Sequence, residues 1–343
     1  MGLLIEIDGS YCEGGGQILR TAVALAGVTG KETRIFNIRA SRDPPGLKRQ
    51  HLTGILAAVE ICNASIEGAE IGSKEVVFRP ETIKSGKYKM DIGTAGSVTL
   101  LLQTLIPIIA FSDKKTVLNI IGGTNVQWSP SIDYYSEVFL YFLEKIGINT
   151  KMEILRYGFY PKGGGKIRFE VLPWENKNKI DLTERGKKKK IKAISIATPH
   201  LRNVEVAERQ IRGFRRVLPC EKEIRYVDSY SIGSSITGTA YFENSRMGSS
   251  VLGERGKKAE IVGREAAEEV KKEIESSAVL DKHMGDQIIP YLGLVGGKIK
   301  VSEITDHLKS NIWVVEKFLP VKFKIEGNIV KTKFKKQRNV LLV

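Results

Sequence analysis

Cysteine is nearly missing from this chain: Cys12, Cys62 and Cys220 are the only three among 343 residues, and no two form a CxxC pair. An odd count at such distances supports neither a disulfide framework nor a cysteine zinc site, and a reducing, cytoplasmic setting is the simplest one for it. Long apolar runs are missing too. The greasiest stretch, Val98 to Phe111, is interrupted by Gln103, Thr104 and Pro107, and it falls short of the ~20 residues that cross a bilayer. It reads as a buried helix, and no membrane partner is expected. The first residues, Met-Gly-Leu-Leu-Ile-Glu, show no basic region followed by a long apolar one, so no signal peptide is read there. There is no GxxxxGK[ST] phosphate loop, and Gly14-Gly15-Gly16 does not satisfy GxGxxG with a downstream acid. Histidine is scarce as well: His51, His200, His283 and His307 are all there are.

What is abundant is positive charge and glycine. Lys and Arg outnumber Asp and Glu 54 to 39, a net charge of +15. Such a field draws in polyanions, so nucleic acid leads the candidate partners. A Lys- and Glu-rich surface of the thermophile kind is the alternative reading. An apolar fraction of 42% with 27% charged residues is that of a folded protein, and the length suits about two domains.

The glycines fall in short runs that punctuate a repeated grammar. Leu3 to Ile7 reads as a strand feeding Glu13-Gly14-Gly15-Gly16 and a helix through Leu19, Val23 and Ala26. Arg34 to Arg39 precedes Pro44-Pro45-Gly46 and a helix carrying Leu52, Ile55, Leu56 and Val59. Lys89 to Ile92 leads through Gly93-Thr94-Ala95-Gly96 into the Val98–Phe111 helix. Val117 to Ile121 leads through Gly122-Gly123-Thr124 into a helix over 132–145. Four strand–turn–helix passages predict an α/β (α+β) domain built from similar sub-units. After Gly163-Gly164-Gly165 and a strand ending near Val171, residues 174–190 turn polar and charged, which reads as a boundary. Beyond it the pattern predicts strands over 191–197, 224–230 and 236–242, a basic amphipathic helix over 204–217 and a mixed-charge helix over 264–277. From Asp281 the earlier style returns, with helices at Asp286 and over 311–318, then a hairpin of 321–325 and 329–334 around Glu326-Gly327-Asn328. The expected division is therefore 1–182 and 281–343 as one large domain, with 183–280 a smaller α/β domain inserted into it.

Three features point to chemistry. Glycine turns that open helices present backbone N–H groups and the positive dipole end, which suits phosphate. Arg39, Arg42, Lys48 and Arg49 crowd a helix start that their charge opposes, with Gln50 and His51 just behind, so a bound polyanion would account for them. His307 lies in Asp306-His307-Leu308-Lys309-Ser310-Asn311, a polar turn before an apolar helix, beside an acid able to orient the ring.

These stretches resemble the RNA 3′-terminal phosphate cyclases over nearly the whole chain. The matching segments are Glu13-Gly-Gly-Gly-Gln-Ile-Leu-Arg20, Ile38-Arg39 through Pro45-Gly-Leu-Lys-Arg-Gln-His51, and Gly93-Thr-Ala-Gly-Ser97 to Gln103. Gly158-Phe-Tyr-Pro-Lys-Gly-Gly-Gly165, Asp286-Gln287, and His307 with Val314-Val-Glu-Lys-Phe-Leu-Pro320 follow in the same order. The resemblance implies a large domain of repeated βαβαββ units interrupted by a small α/β insert. It also implies ATP-dependent conversion of an RNA 3′-phosphate to a 2′,3′-cyclic phosphodiester. In that family the histidine matching His307 attacks ATP to form histidine–AMP; AMP passes to the RNA 3′-phosphate, and the 2′-hydroxyl displaces it. Carried over by position, Gln103, Pro130, His283, Met284, Gly285, Asp286 and Gln287 match the ATP site. Glu13 matches a carboxylate associated with Mg²⁺ or Mn²⁺, and Arg20, Arg39, Arg42, Gln50 and His51 match residues that grip the RNA phosphate or the triphosphate. The chain departs from many relatives at Cys12 (Gly there), at Ser131 (Pro there) and near Leu252, where an aromatic could stack on adenine. Two rivals are a non-catalytic cyclase-like RNA-binding protein of ribosome assembly, which would lack His307, and an enolpyruvyl transferase, which needs a longer duplicated chain. The basic helix with Arg209, Arg212, Arg215 and Arg216 either extends an RNA path or is solvated surface, and homo-oligomerisation is left open.

Overall fold

Three times the chain lays down strand, helix, strand, helix, strand, strand, and each time the four strands pair in the same order. The computed structural model describes residues 4–334, so Leu3 of the first expected strand lies outside the described residues. The first unit comprises β1 (Ile5–Asp8), α1 (Gly16–Thr29), β2 (Thr33–Phe36), α2 (Arg49–Ile61), β3 (Ser65–Glu67) and β4 (Val76–Arg79). Its sheet runs β1-β2-β4-β3, with β1 and β2 parallel and the rest antiparallel. The second comprises β5 (Lys87–Asp91), α3 (Val98–Ile109), β6 (Thr116–Gly122), α4 (Ile132–Tyr134), α5 (Leu140–Lys145), β7 (Thr150–Arg156) and β8 (Gly165–Val171), in the order β5-β6-β8-β7. A π-turn over Tyr135–Phe139 joins α4 to α5, where the sequence predicts one uninterrupted helix.

The third unit is split. Its first strand, β9 (Ile180–Leu182), pairs in parallel with β14 (Gly297–Lys300) far downstream. Between them stand β10 (Lys188–Ala197), α6 (Val206–Arg215), β11 (Glu221–Tyr226), β12 (Ser234–Phe242), β13 (Arg246–Leu252) and α7 (Ala259–Glu275). Then α8 (Lys282–Val295), α9 (Asp306–Phe318), β15 (Val321–Glu326) and β16 (Ile329–Phe334) complete the unit, in the order β15-β16-β14-β9. β9 lies within the polar stretch that reads as a boundary in the sequence. Within β9 only Ile180 and Leu182 are buried, too few for a period-2 signal.

The intervening strands form their own sheet, β11-β10-β12-β13. Because successive strand residues point to opposite faces, β10 divides between two cores. Ile191 and Ala193 pack with Phe214 and Val270 under α6 and α7, whereas Ile194 and Ile196 join the main core. Polar bonds fasten this sheet to the second unit. Buried Asp133 accepts from Tyr157 Oη (2.9 Å) and Asn125 Nδ2 (3.3 Å) and pairs with Arg225 (3.3 Å), while Asn125 Nδ2 also reaches Ser235 Oγ (3.0 Å). Burial pushes the Asp133 carboxyl up, against these partners.

Several bounds move for identifiable reasons. β11 ends at Tyr226, not Tyr230, because its register on β10 runs out at Tyr226↔Ala197. α9 begins at Asp306 and not Asn311, since a polar first turn hides the apolar period. Among the described residues no helix is long and apolar enough to cross a membrane.

Candidate active site

His307 sits at the second position of α9, where backbone N–H groups are free and the helix dipole is positive. Thr305 caps this helix, its Oγ1 accepting from Leu308 N–H at 3.0 Å. The imidazole lies between two carboxylates: Nε2 is 2.6 Å from Glu13 Oε2, and Nδ1 is 3.7 Å from Asp286 Oδ2. Thr305 Oγ1 also donates to Asp286 Oδ1, so one residue both starts the helix and fixes the second carboxylate. Asp306, the acid adjacent in sequence, is turned outward to Lys309 Nζ (2.9 Å). The carboxylate that faces Nδ1 is therefore not Asp306, adjacent in sequence, but Asp286, which arrives from α8. Burial pushes the Asp286 carboxyl up to about 7; Asp281, Glu13 and Glu303 push the same way and the Thr305 hydrogen bond opposes them.

Helix packing brings these groups together. Asp281 caps α8 through Met284 N–H (2.9 Å) while accepting from Tyr134 Oη (2.7 Å) and Gly248 N–H (3.0 Å). A Cβ on Gly285 would lie 2.9 Å from Val301, so glycine lets α8 approach the chain just beyond β14. Asn311 Nδ2 donates to Asp286 O (2.9 Å) and its Oδ1 accepts from Thr21 Oγ1 (2.8 Å). Gln17 Nε2 reaches Ser310 Oγ (3.3 Å), which donates to His307 O (2.9 Å). α1, α8 and α9 are thus cross-linked through buried polar groups. Gln17, Ser310 and Asn311 stand inside the quoted motifs without a role, and Thr21 and Thr305 are not picked out at all, although a threonine one residue ahead of Asp306 is a helix-cap signal.

The glycine turn supplies Glu13. Cys12 and Gly14 take φ of +52° and +55°, so the turn before α1 runs through a left-handed backbone that favours glycine. Helix α1 then starts at Gly16 with no side-chain cap and no acid in its first turn, and α2 has no acid in its first turn either. These starts converge: a Cβ on Gly16 would lie 2.5 Å from His51 Nε2 and 3.2 Å from Arg20 Nη1. Burial lowers Arg20 to about 10, and no acid is paired with it among the described residues. His51 is held to about 3 by burial first, then by Arg20, Arg39 and Lys48. Its Nδ1 accepts from Lys48 N–H (3.3 Å), so the neutral ring carries its proton on Nε2, toward Gly16. Arg42 stands 4.0 Å from Glu13 and links this corner to His307.

The remaining sequence candidates divide. Gln103 Nε2 donates to Gln287 Oε1 (2.8 Å), and Gln287 Nε2 to His283 O (2.9 Å), joining α3 to α8. Gln50 Oε1 accepts from Ser97 N–H (3.0 Å), Ser97 Oγ meets Thr99 Oγ1 (2.8 Å), and Thr99 donates to Pro130 O (2.9 Å). Burial holds the His283 imidazole down. Met284 is fully buried, and its N–H donates to Asp281 Oδ1 (2.9 Å). Arg39 is turned inward, with Nη1 on Pro44 O (3.0 Å) and Gly46 O (2.8 Å), bracing the proline turn. In the basic helix α6, Arg209 grips Glu260 (2.8 and 2.9 Å), Arg212 pairs with Glu205 (3.0 Å), and Arg215 holds Cys220 O (2.9 Å). Those pairings favour solvated surface over an RNA path.

No group of three His, Cys, Asp or Glu able to hold a metal occurs among the described residues. A single half-exposed carboxylate such as Glu13 suits a hard divalent ion that keeps waters and takes substrate phosphate oxygens.

A family profile described as RNA 3′-terminal phosphate cyclase matches residues 11–325. Proteins named RNA 3′-terminal phosphate cyclase from Pyrococcus abyssi and Pyrococcus furiosus are 46% and 47% identical over 333 and 331 residues. These alignments cover 96% and 95% of this chain and 97% and 96% of theirs. The Archaeoglobus fulgidus protein of the same name is 45% identical, over 95% of this chain and 98% of its own. The chain belongs to the RNA 3′-terminal phosphate cyclase family.

Proposed function

We propose that this protein is an enzyme that uses ATP to convert an RNA 3′-terminal phosphate to a 2′,3′-cyclic phosphodiester, with His307 as the nucleophile. The observation that carries this reading is the placement of His307 between Glu13 and Asp286 at an open helix N-terminus. Nδ1 faces the buried carboxylate and Nε2 the half-exposed one, so Nε2 is the attacking atom. In the resting contact the ring proton lies on Nε2, toward Glu13. Once Glu13 turns away, the Asp286 carboxylate, 3.7 Å from Nδ1, favours the tautomer with the proton on Nδ1 and stabilises the positive charge that grows on the ring. Glu13 would hold Mg²⁺ or Mn²⁺, which supplies neutralisation of triphosphate charge. Turning Glu13 away from the ring leaves the Nε2 lone pair free.

Nε2 then forms a bond to the α-phosphorus of ATP, the α–β anhydride bond breaks, and pyrophosphate leaves. A 3′-phosphate oxygen of the RNA next displaces the imidazole, taking up AMP and restoring His307. The RNA 2′-hydroxyl attacks the activated phosphorus, loses its proton and expels AMP as the ring closes. Activation is needed because a phosphate monoester has no good leaving group; closure gains from a hydroxyl already held beside the phosphorus. Arg20, the Nε2–H of His51 and the uncapped start of α1 form the anion corner. Gln103, Pro130, His283, Gly285 and Gln287 line the nucleotide's side.

The test is incubation with α-labelled ATP and Mg²⁺, followed by 3′-phosphorylated RNA. Acid-labile AMP should appear on the protein and be lost in His307→Ala, and the RNA should acquire a cyclic end. Full labelling of the alanine variant would remove His307 from this role.

A further inference from the structure

Three loops at one end of the second sheet carry aromatic side chains out into water. Trp128 is 94% exposed, whereas Trp174 is 2% exposed; Tyr160 is 77% and Tyr230 56% exposed. Trp128 also takes φ +59°, a left-handed conformation that a bulky side chain rarely adopts and that marks a held position.

The loops are sewn together. Thr124 and Asn125 donate their N–H groups to Gly158 O (2.9 and 3.2 Å), and Lys162 N–H donates to Ser231 Oγ (3.0 Å). Gly164 seats Tyr230, since a Cβ there would strike its ring at 2.4 Å. The Arg156 guanidinium lies 4.0 Å over the Tyr230 ring and is fixed by its Nε on Gly164 O (2.7 Å). The same end holds Pro130, two residues beyond Trp128, whose carbonyl is tied to the start of α3. None of these aromatics belongs to the hydrogen-bonded groups around His307.

We infer that Trp128, Tyr160 and the Arg156–Tyr230 pair form a stacking track for the unpaired nucleotides of the RNA that precede its terminal phosphate. This rests on RNA being the substrate, as proposed above. Aromatic faces interleaved with cations bind single strands without reading sequence, because every base has a face to stack and the backbone meets positive charge. A protein partner of apolar character is the poorer fit: the patch includes a planar guanidinium, and the chain carries +15 overall.

The experiment compares a 3′-phosphorylated octanucleotide with a 3′-phosphorylated dinucleotide on the full chain. Binding is followed without ATP by anisotropy, and indole emission is recorded alongside. Trp128→Ala should weaken octanucleotide binding about 5- to 100-fold, and Trp128→Phe should recover most of it. The octanucleotide should quench indole emission less in the alanine variant. Cyclisation of the dinucleotide and labelling by ATP should be unchanged. Equal octanucleotide affinity in wild type, Trp128→Ala and Tyr230→Leu overturns the inference, as does a Trp128→Ala effect on sedimentation alone, which would make this face a contact between copies. The two readings separate cleanly. Trp128-dependent RNA binding without cyclic product sinks the catalytic proposal and keeps the track, whereas normal cyclisation indifferent to Trp128 does the reverse.

Discussion

Asp286→Asn separates what the buried carboxylate does for the reaction from what it costs the fold. In the native protein this carboxyl is pushed by burial from an ordinary 3.8 up to about 7. Between those values the folded state holds a proton that the unfolded chain has released. Stability therefore falls as pH rises from about 4 to about 7, and the full penalty persists above 7. A rise of about three units at ~1.36 kcal/mol each gives about 4 kcal/mol as an upper value. Asparagine keeps the shape and can still accept from Thr305 Oγ1, but it never ionises. Urea unfolding of both proteins from about pH 3.5 to pH 8.5 should show nearly equal stability at the acid end. The variant should lead by a few kcal/mol at the alkaline end. Labelling by α-labelled ATP should move the opposite way, falling about 10²- to 10⁴-fold because Nδ1 loses its anionic partner. In the native enzyme the labelling rate should rise through about pH 7 as Asp286 ionises, and the variant should lack that limb. An unchanged pH slope of stability, or a variant less stable than wild type at pH 8.5, would refute the reasoning.

Thr305→Ala removes the α9 cap and the hydroxyl on Asp286 together. It should lower stability by about 2 kcal/mol in thermal unfolding and shift the labelling pH profile upward, since that hydroxyl holds the Asp286 pKa down. His51 should remain neutral, with its proton on Nε2, from pH 5 to 8 in ¹⁵N NMR; a titration above pH 5 would contradict its burial beside Arg20 and Arg39.

Much of this layout is readable in the sequence because glycine turns and apolar periods mark each strand–helix passage. The short strands β3, β4, β9 and β14 are not, since three or four residues with at most two buried side chains carry no recognisable period. At the site, motif residues such as Glu13, Asp286 and His307 stand out by type. The identity of the orienting acid does not: Asp306 is adjacent in the chain, while Asp286 is adjacent in space. Polar residues on helices normally signal solvent, which is why the cross-linking role of Gln17, Thr21, Ser310 and Asn311 between three helices is not legible. The local roles of basic residues are hidden in the same way: Arg39 also braces the proline turn, and His51 is held neutral by burial beside Arg20 and Arg39.

The interruption of the third unit sets an order on when catalysis can exist. β9 must wait for β14, its parallel neighbour, until the whole intervening sheet has been made and has brought residue 297 back to residue 180. The two helices that present Asp286 and His307 both lie after that gap. A growing chain that has finished its first two units therefore has the glycine turn, Arg20, His51 and Glu13 in place, yet lacks the histidine proposed as nucleophile. The inserted sheet, fastened through Asp133 and Asp281 to the elements on either side, works as a closing splint: its folding shortens the search that unites β9 with β14. Damage to that sheet should be felt first as delayed acquisition of activity, even where the finished enzyme is sound.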